Sequence, residues 1–234
     1  MHLVLVPGLW LDASTWDRVV PLLEQAGHTV HPLTLPGMES RDADRSAVTL
    51  QDHVDAIVAA VDACDPEEGP VVLVGHSVGG TLAHAAVDAR PERVSRTVFV
   101  ASEPRGDGES PADGLPEVDG EVPMPDWSAF DDAELRGLDD ALRAELRGAA
   151  VPAPLRVTRD TLRLTDERRH HVPATVLTCE YPASQLQQWI AEGEPYAAEL
   201  GRLRDVTYVD LETSHWPQLT APERLARAIL DAVA

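Results

Sequence analysis

Along the chain, short runs of β-branched and aliphatic residues alternate with segments whose apolar positions recur every three to four residues. Leu3 to Val6, Thr29 to Leu33, Val71 to Val74, Thr97 to Ala101, Thr175 to Cys179 and Thr207 to Leu211 read as six strands. Several are continuous apolar runs, the pattern of strands buried on both faces of a parallel sheet. Between them, Leu50, Val54, Ile57, Val58 and Val61 fall on one stripe at helical spacing. A second helix is predicted from Val78 through Asp88, stopped before Pro91. A third covers 221–233, with Thr220 as its cap and Pro222 in its first turn. This alternation predicts an α/β domain: a doubly wound, mostly parallel six-stranded sheet with helices on both faces, where right-handed crossovers place them.

The alternation breaks between Glu103 and Pro173. A loop rich in Gly, Pro and Asp covers 104–125, a helical segment lies around Asp131 to Ala150, and a charged stretch runs from Arg156 to His171. That is too long for a simple crossover, and long excursions in compact domains commonly serve as lids or binding loops. A helical cap insertion at 104–173 is therefore expected within a single domain spanning 1–234. The competing reading is an acidic disordered loop to about Pro125, followed by an ordinary crossover helix. A length of 234 residues suits one full core and is short for two.

Composition narrows the partners. Forty acidic residues face 19 basic ones, all of them Arg, for a net charge of −21. Such a surface repels phosphate backbones and anionic membranes, so neither nucleic acid nor membrane is expected as a partner. Cys64 and Cys179 lack paired metal spacing, which indicates neither a disulfide framework nor a zinc site. The apolar run at Leu3 to Val6 is too short for a signal-peptide core, and no stretch approaches the roughly 18 apolar residues of a membrane span. The expectation is a cytoplasmic monomer or homodimer.

The chemistry concentrates at Gly75-His76-Ser77-Val78-Gly79, a G-x-S-x-G motif between a β-branched strand and a helical pattern. In a nucleophile elbow the serine sits on a sharp, strained strand-to-helix turn, and flanking glycines let neighbouring backbone approach. Serine hydroxyls are weak nucleophiles at neutral pH, so a base within hydrogen-bond reach is required, oriented by a carboxylate. His215 is the candidate base, because it follows a strand and precedes the last helix, on the same sheet edge as Ser77. Among the other histidines, His28, His31, His53 and His84 lie in or beside predicted elements and His2 at the terminus, and all five read as structural. His76 reads as framework, and His170-His171 lacks the carboxylate pattern of a metal site.

With these motifs the chain resembles the α/β-hydrolase superfamily over nearly its whole length, in a serine esterase-like short form similar in size to plant-type methylesterases. Leu3 to Trp10 resembles the family's first retained strand and oxyanion loop, where His-Gly is commoner than Pro7-Gly8. Leu33 to Met38 resembles the turn after the next strand, and Thr213 to Leu219 the catalytic-histidine loop. The resemblance implies a triad acid after either of two strands, and a carboxylate stands at both: Glu103 and Glu180. At the second place the family shows a Gly, an acidic pair and Pro, whereas Cys179-Glu180-Tyr181-Pro182 lacks Asp. Glu103 is therefore the expected acid and Glu180 the alternative, ahead of Asp205 or Asp210. The backbone amides of Leu9 and Val78 are the expected oxyanion hole. Trp10, Trp127, Phe130 and Trp216 are candidates for the substrate pocket.

The expected function is hydrolysis of an uncharged carboxylic ester, lactone or related acyl compound through an acyl-enzyme on Ser77, with no cofactor and no metal. Ser77 at the elbow argues against dehalogenation and epoxide opening, which in this fold generally use Asp. The plant-type hydroxynitrile lyases use a Lys, and the chain has none. A C–C bond hydrolase, a thioesterase or acyltransferase, a perhydrolase, and a non-catalytic small-molecule receptor remain as alternatives.

Overall fold

A computed structural model describes residues Met1–Ala234. The six predicted strands are all present, as β1 (His2–Val6), β2 (Thr29–Pro32), β3 (Val71–His76), β4 (Val94–Val100), β7 (Ala174–Thr178) and β8 (Val206–Asp210), while β5 (Glu121–Val122) and β6 (Ala153–Pro154) form a separate antiparallel pair. The main sheet runs in the order β2-β1-β3-β4-β7-β8 and is parallel throughout. Where strand ends differ from the sequence reading, cross-strand pairing sets them. β3 continues to His76 because Gly75 and His76 still pair with Phe99 and Val100. The strand order reverses between β1 and β3, which opens a crevice beyond their carboxyl ends.

Register partners share a face, and each face buries its own core. On one, Val4, Val6 and Leu73 meet Leu50, Val54, Ile57 and Val61 of α2 (Leu50–Ala63), together with Leu82, Ala83 and Ala86 of α3 (Val78–Ala89). The predicted stripe is the face α2 buries, and a reciprocal capping box between Thr49 and Asp52 starts the helix. On the other face, Leu3, Leu5, Val72, Val74, Val98 and Val100 meet Leu23 of α1 (Val20–Gln25) and Leu225 and Ile229 of α8 (Pro222–Val233). Each fully buried aliphatic side chain contributes about 1.5–3 kcal/mol. Thr220 is not the cap of α8. It ends the short α7 (Pro217–Thr220), and its hydroxyl bonds the Trp216 carbonyl and the Ser214 hydroxyl.

The excursion between β4 and β7 holds β5, β6, α4 (Asp140–Ala149) and α5 (Leu155–Arg159). Its helix starts later than the sequence pattern suggests, because the Asp131 and Glu134 carboxylates bond nearby amides and hold 131–134 in a turn. Asp139 then caps α4 by accepting from Leu142 N at 2.9 Å. The acidic stretch before it is fastened by backbone bonds from Gly108 N to Leu162 O and from Leu162 N to Glu109 O. After β7, α6 (Ala183–Glu192), which the sequence reading missed, lays Leu186 against Phe99 and Val176. No helix is long and apolar enough to cross a membrane.

The excursion returns to the sheet through a buried ionic cluster. Arg169, 1% exposed, donates to Glu199 at 2.9 Å and to Asp88 of α3 at 3.1 Å. The Nε2 atoms of His84 and His170 reach the same Glu199 oxygen at 3.0 and 2.8 Å. Burial works to raise the Glu199 pKa, but these three donors hold it well below the usual carboxylate range. The cluster therefore contributes stability above the unfolded-state carboxylate pKa that is lost as pH falls toward the folded one. Removing one partner leaves buried charge uncompensated. Arg169→Ala is expected to lower the unfolding free energy by about 3–5 kcal/mol, read as a drop in urea midpoint at unchanged slope. A loss below about 1 kcal/mol would mean the cluster is solvated and contributes no more than a surface pair.

Candidate active site

Ser77 stands between β3 and α3 at φ 53° and ψ −130°, a left-handed conformation costly for a side-chain-bearing residue. Close backbone packing holds it there. A Cβ on Gly75 would lie 2.4 Å from the Gly80 Cα, one on Gly79 2.4 Å from the Pro7 carbonyl oxygen, and one on Gly80 2.2 Å from the Ser102 hydroxyl. Ser77 N donates to the Val100 carbonyl, and the Ser77 carbonyl accepts from Gly80 N and from the Ser102 hydroxyl at 2.6 Å. Positive φ recurs at Trp10, Ala101 and Glu212, each just beyond the carboxyl end of a strand.

His215 brings its Nε2 to 2.9 Å from the Ser77 hydroxyl, and its Nδ1 meets the Glu180 carboxylate. Its backbone is held twice: its amide donates to the Glu134 carbonyl of the excursion at 2.9 Å, and its carbonyl accepts from His76 Nε2 at 2.6 Å. Burial holds His76 down at about 3, with the His215 charge adding to the effect, so His76 is neutral and its Nε2 carries the donated proton. For His215, burial lowers the pKa, but the hydrogen bond and charge of Glu180, aided by the charges of Glu134 and Glu103, carry it above the ordinary histidine value.

The carboxylate beside His215 is thus Glu180 and not Glu103, which corrects the order of preference drawn from the sequence. β7 lies next to β8 in the sheet, and Thr213 N donates to the Cys179 carbonyl at 3.1 Å, so the two loops are pinned beside each other. The Glu103 carboxylate turns away. Its two oxygens accept from the Tyr181 and Tyr196 hydroxyls, and the Arg105 guanidinium lies 4.6 Å from the centre of the Tyr196 ring. Burial pushes the Glu103 pKa up against the pull of those two phenols. Neither tyrosine was singled out from the sequence, since nothing in their spacing pairs them with Glu103.

The amides of Leu9 and Val78 donate to no other protein group, and both residues line one cavity beside the elbow. Gly8 lets the Leu9 loop approach, because a Cβ there would lie 2.9 Å from the Ser77 Cβ. The four candidate aromatics form one packed cluster beside the histidine. Phe130 lies 5.3 Å from Trp216 and 6.3 Å from Trp10, Trp127 lies 6.1 Å from Trp216, and Trp216 lies 5.0 Å from His215, all between ring centres. Trp10 Nε1 donates to the Val122 carbonyl of β5 at 3.0 Å. A small apolar cavity beside the elbow has a different lining, which includes Gly8, Leu9, Leu35, Met38, Val78 and Leu82.

A strained serine, a histidine and a carboxylate at the carboxyl edge of a doubly wound sheet define a class, and comparison with known proteins agrees. The model of the Alpha/beta hydrolase family matches residues 3–228, and the chain belongs to that family. It is 38% identical over 103 residues to Methylesterase 8 of Arabidopsis thaliana, 43% of this chain and 37% of that protein. It is 37% identical over 103 residues to polyneuridine aldehyde esterase of Rauvolfia serpentina, 43% of this chain and 38% of that protein. These matches thus span well under half the length of each relative. Among solved structures, an extracellular alpha/beta-hydrolase from a Paenibacillus species covers 99% of this chain and 98% of its own, at a TM-score of 0.78 and 20% identity, a likeness of fold.

Replacing the neighbour of His215 tests which carboxylate sets its charge. In Glu180→Gln the negative charge, and the charge-assisted hydrogen bond that goes with it, are lost and burial is left to dominate, so the pKa is expected to fall. Glu103→Gln is expected to move it less. Imidazole resonances followed by NMR against pH measure both, and a larger fall in the Glu103 variant would reverse the assignment.

Proposed function

We propose that the chain is a serine hydrolase of the carboxylesterase type that cleaves uncharged esters through an acyl-enzyme on Ser77. The observation that carries this reading is the relay from the Ser77 hydroxyl through His215 to Glu180. In the first half-reaction His215 takes the hydroxyl proton as Ser77 attacks the ester carbonyl, and the oxyanion receives the amides of Leu9 and Val78. Glu180 stabilises the imidazolium without taking its proton. His215 then protonates the departing alcohol, and a water activated by the same histidine releases the acid and frees Ser77.

The relatives that share sequence with this chain include a protein named as a methylesterase, which supports an ester of a small alcohol as the substrate. A net charge of −21 disfavours anionic substrates. The excursion at 104–173 is read as a cap. Trp127 and Phe130 meet Trp216 from it, and the Glu134 carbonyl holds the His215 amide, so movement of the cap would reach the base directly.

A fluorophosphonate probe is expected to label the wild-type chain and not Ser77→Ala, and equal labelling of both would remove Ser77 from the mechanism. On methyl or aryl esters, Glu180→Gln should lower kcat by about 10³–10⁴-fold with the fold intact by circular dichroism. Glu103→Gln should cost less than about tenfold; the reverse ranking would return the acid role to Glu103.

Activity should also fall on acidification. His215 acts as a base only when neutral, and its raised pKa places the acid limb above the ordinary histidine value. An acid limb governed by a group below that value would contradict His215 as the base.

A further inference from the structure

At the opposite end of the sheet from Ser77, three side chains that the esterase mechanism does not use converge. His2 opens β1, His31 lies in β2 and Cys64 ends α2. Val4 pairs with His31, so His2, Val4 and His31 face the same side of the sheet, the side α2 covers. One ligand atom from each of the three lies within 4.8 Å of the other two. His2 Nδ1 is 3.1 Å from His31 Nε2. Two nitrogens bound to one tetrahedral zinc, each at about 2.0–2.1 Å, stand about 3.3 Å apart. The pair is thus spaced as ligands are.

We infer that His2 Nδ1, His31 Nε2 and Cys64 Sγ form a binding site for a divalent cation of zinc's borderline character, with water in the fourth position. Two imidazoles and a thiolate suit such an ion better than a hard, oxygen-seeking one. A second observation comes from the far side of the His2 ring. Its Nε2 is buried with no hydrogen-bond partner, and the Glu68 carboxylate stands 3.7 Å away on an exposed side chain. When the metal takes Nδ1, the His2 ring proton resides on Nε2 and faces the Glu68 carboxylate, which must close by about half an ångström to complete the carboxylate–histidine–metal arrangement that orients such ligands.

The balance of the binding step is simple. Cys64 now donates its thiol hydrogen to the Ala60 carbonyl at 3.2 Å, and binding exchanges that S–H for an S–metal bond and releases one proton to solvent. Both imidazoles bind neutral: the hydrogen bond between His2 Nδ1 and His31 Nε2 is given up, and the proton in it returns through solvent to the far nitrogen of its own ring, so each ring keeps its one proton away from the ion. Burial pushes the Cys64 thiol up, while the charge of Arg93, whose Nη2 donates to the Cys64 carbonyl at 2.7 Å, favours the thiolate. His31 is only half-buried and leaves the ion a path. The ion would fasten the end of α2 to the β1–β2 edge, and its role is structural.

Cobalt(II) titrated into the full chain is the probe. One equivalent should be taken up, with a thiolate-to-cobalt charge-transfer band in the near ultraviolet and tetrahedral d–d absorption in the visible, both displaced by zinc. Cys64→Ser should abolish the charge-transfer band, and His31→Gln should abolish stoichiometric uptake. Cys179→Ser should keep both, and Glu68→Gln should weaken binding about tenfold or more. Far-ultraviolet circular dichroism without metal and the unchanged ester hydrolysis of Cys64→Ser and His31→Gln establish that these variants are folded. Absence of the band in the wild type, or its survival in Cys64→Ser, would overturn the site.

Discussion

Where β3 meets α3 the backbone reverses within one residue, and its surroundings are packed so closely that a single methyl group would not fit. A Cβ on Gly75, Gly79 or Gly80 would lie 2.2–2.4 Å from its nearest neighbour, and Gly8 closes the same contact from the loop after β1. The strain at Ser77, about 1–3 kcal/mol for such a conformation, persists because the bonds to Val100, Gly80 and Ser102 fix the residue on both sides. Three results follow from this one contact. The hydroxyl projects toward His215, the Val78 amide is left free at a helix start, and the loop carrying Gly8 and Leu9 is brought alongside.

The carboxylates nearby show how environment divides roles between like groups. Glu180 presents an oxygen to His215 Nδ1, and its charge raises the basicity of the ring. Glu103 spends both oxygens on phenols and packs its surroundings with Tyr181, Tyr196 and Trp189, whose rings meet edge to face. Its charge still reaches His215, as one of the weaker contributions. Farther off, Glu199 is satisfied by Arg169, His84 and His170, which locks the returning end of the excursion onto α3. The middle instead meets the site through Glu134 and the aromatic cluster. The excursion is therefore anchored by buried charge at its exit and by contact with the His215 loop near its middle.

The polarity of a parallel sheet separates the two chemistries proposed here. Every strand presents its carboxyl end to the same edge, so the loops carrying Leu9, Ser77, Glu180 and His215 gather there. His2, at the amino end of β1, and Cys64, at the end of the helix running back across the sheet, meet near the other edge. Occupation of that edge can stiffen the β1–β2 margin without touching the relay.

Much of this was legible in the sequence for local reasons. Strand burial, the α2 stripe and the elbow each depend on residues close together in the chain, so periodicity and the G-x-S-x-G spacing predicted all six core strands, α2 and α3, and the positions of Ser77 and His215. Features set by side chains meeting from distant segments were not legible. Glu103 and Glu180 both follow strands, and only the adjacency of β7 to β8, with Thr213 bonded to Cys179, decided which one meets His215. The turn at 131–134 was misread as helix because its carboxylates compete for the backbone. His2, His31 and Cys64 carry no ligand spacing along the chain; the β1–β2 register and the packing of α2 on that face bring them together. Local pattern determined the elements and the place of Ser77 on the strand-to-helix turn; tertiary structure decided every partner, because a hydrogen bond or a ligand set depends on distances in space that chain separation does not encode.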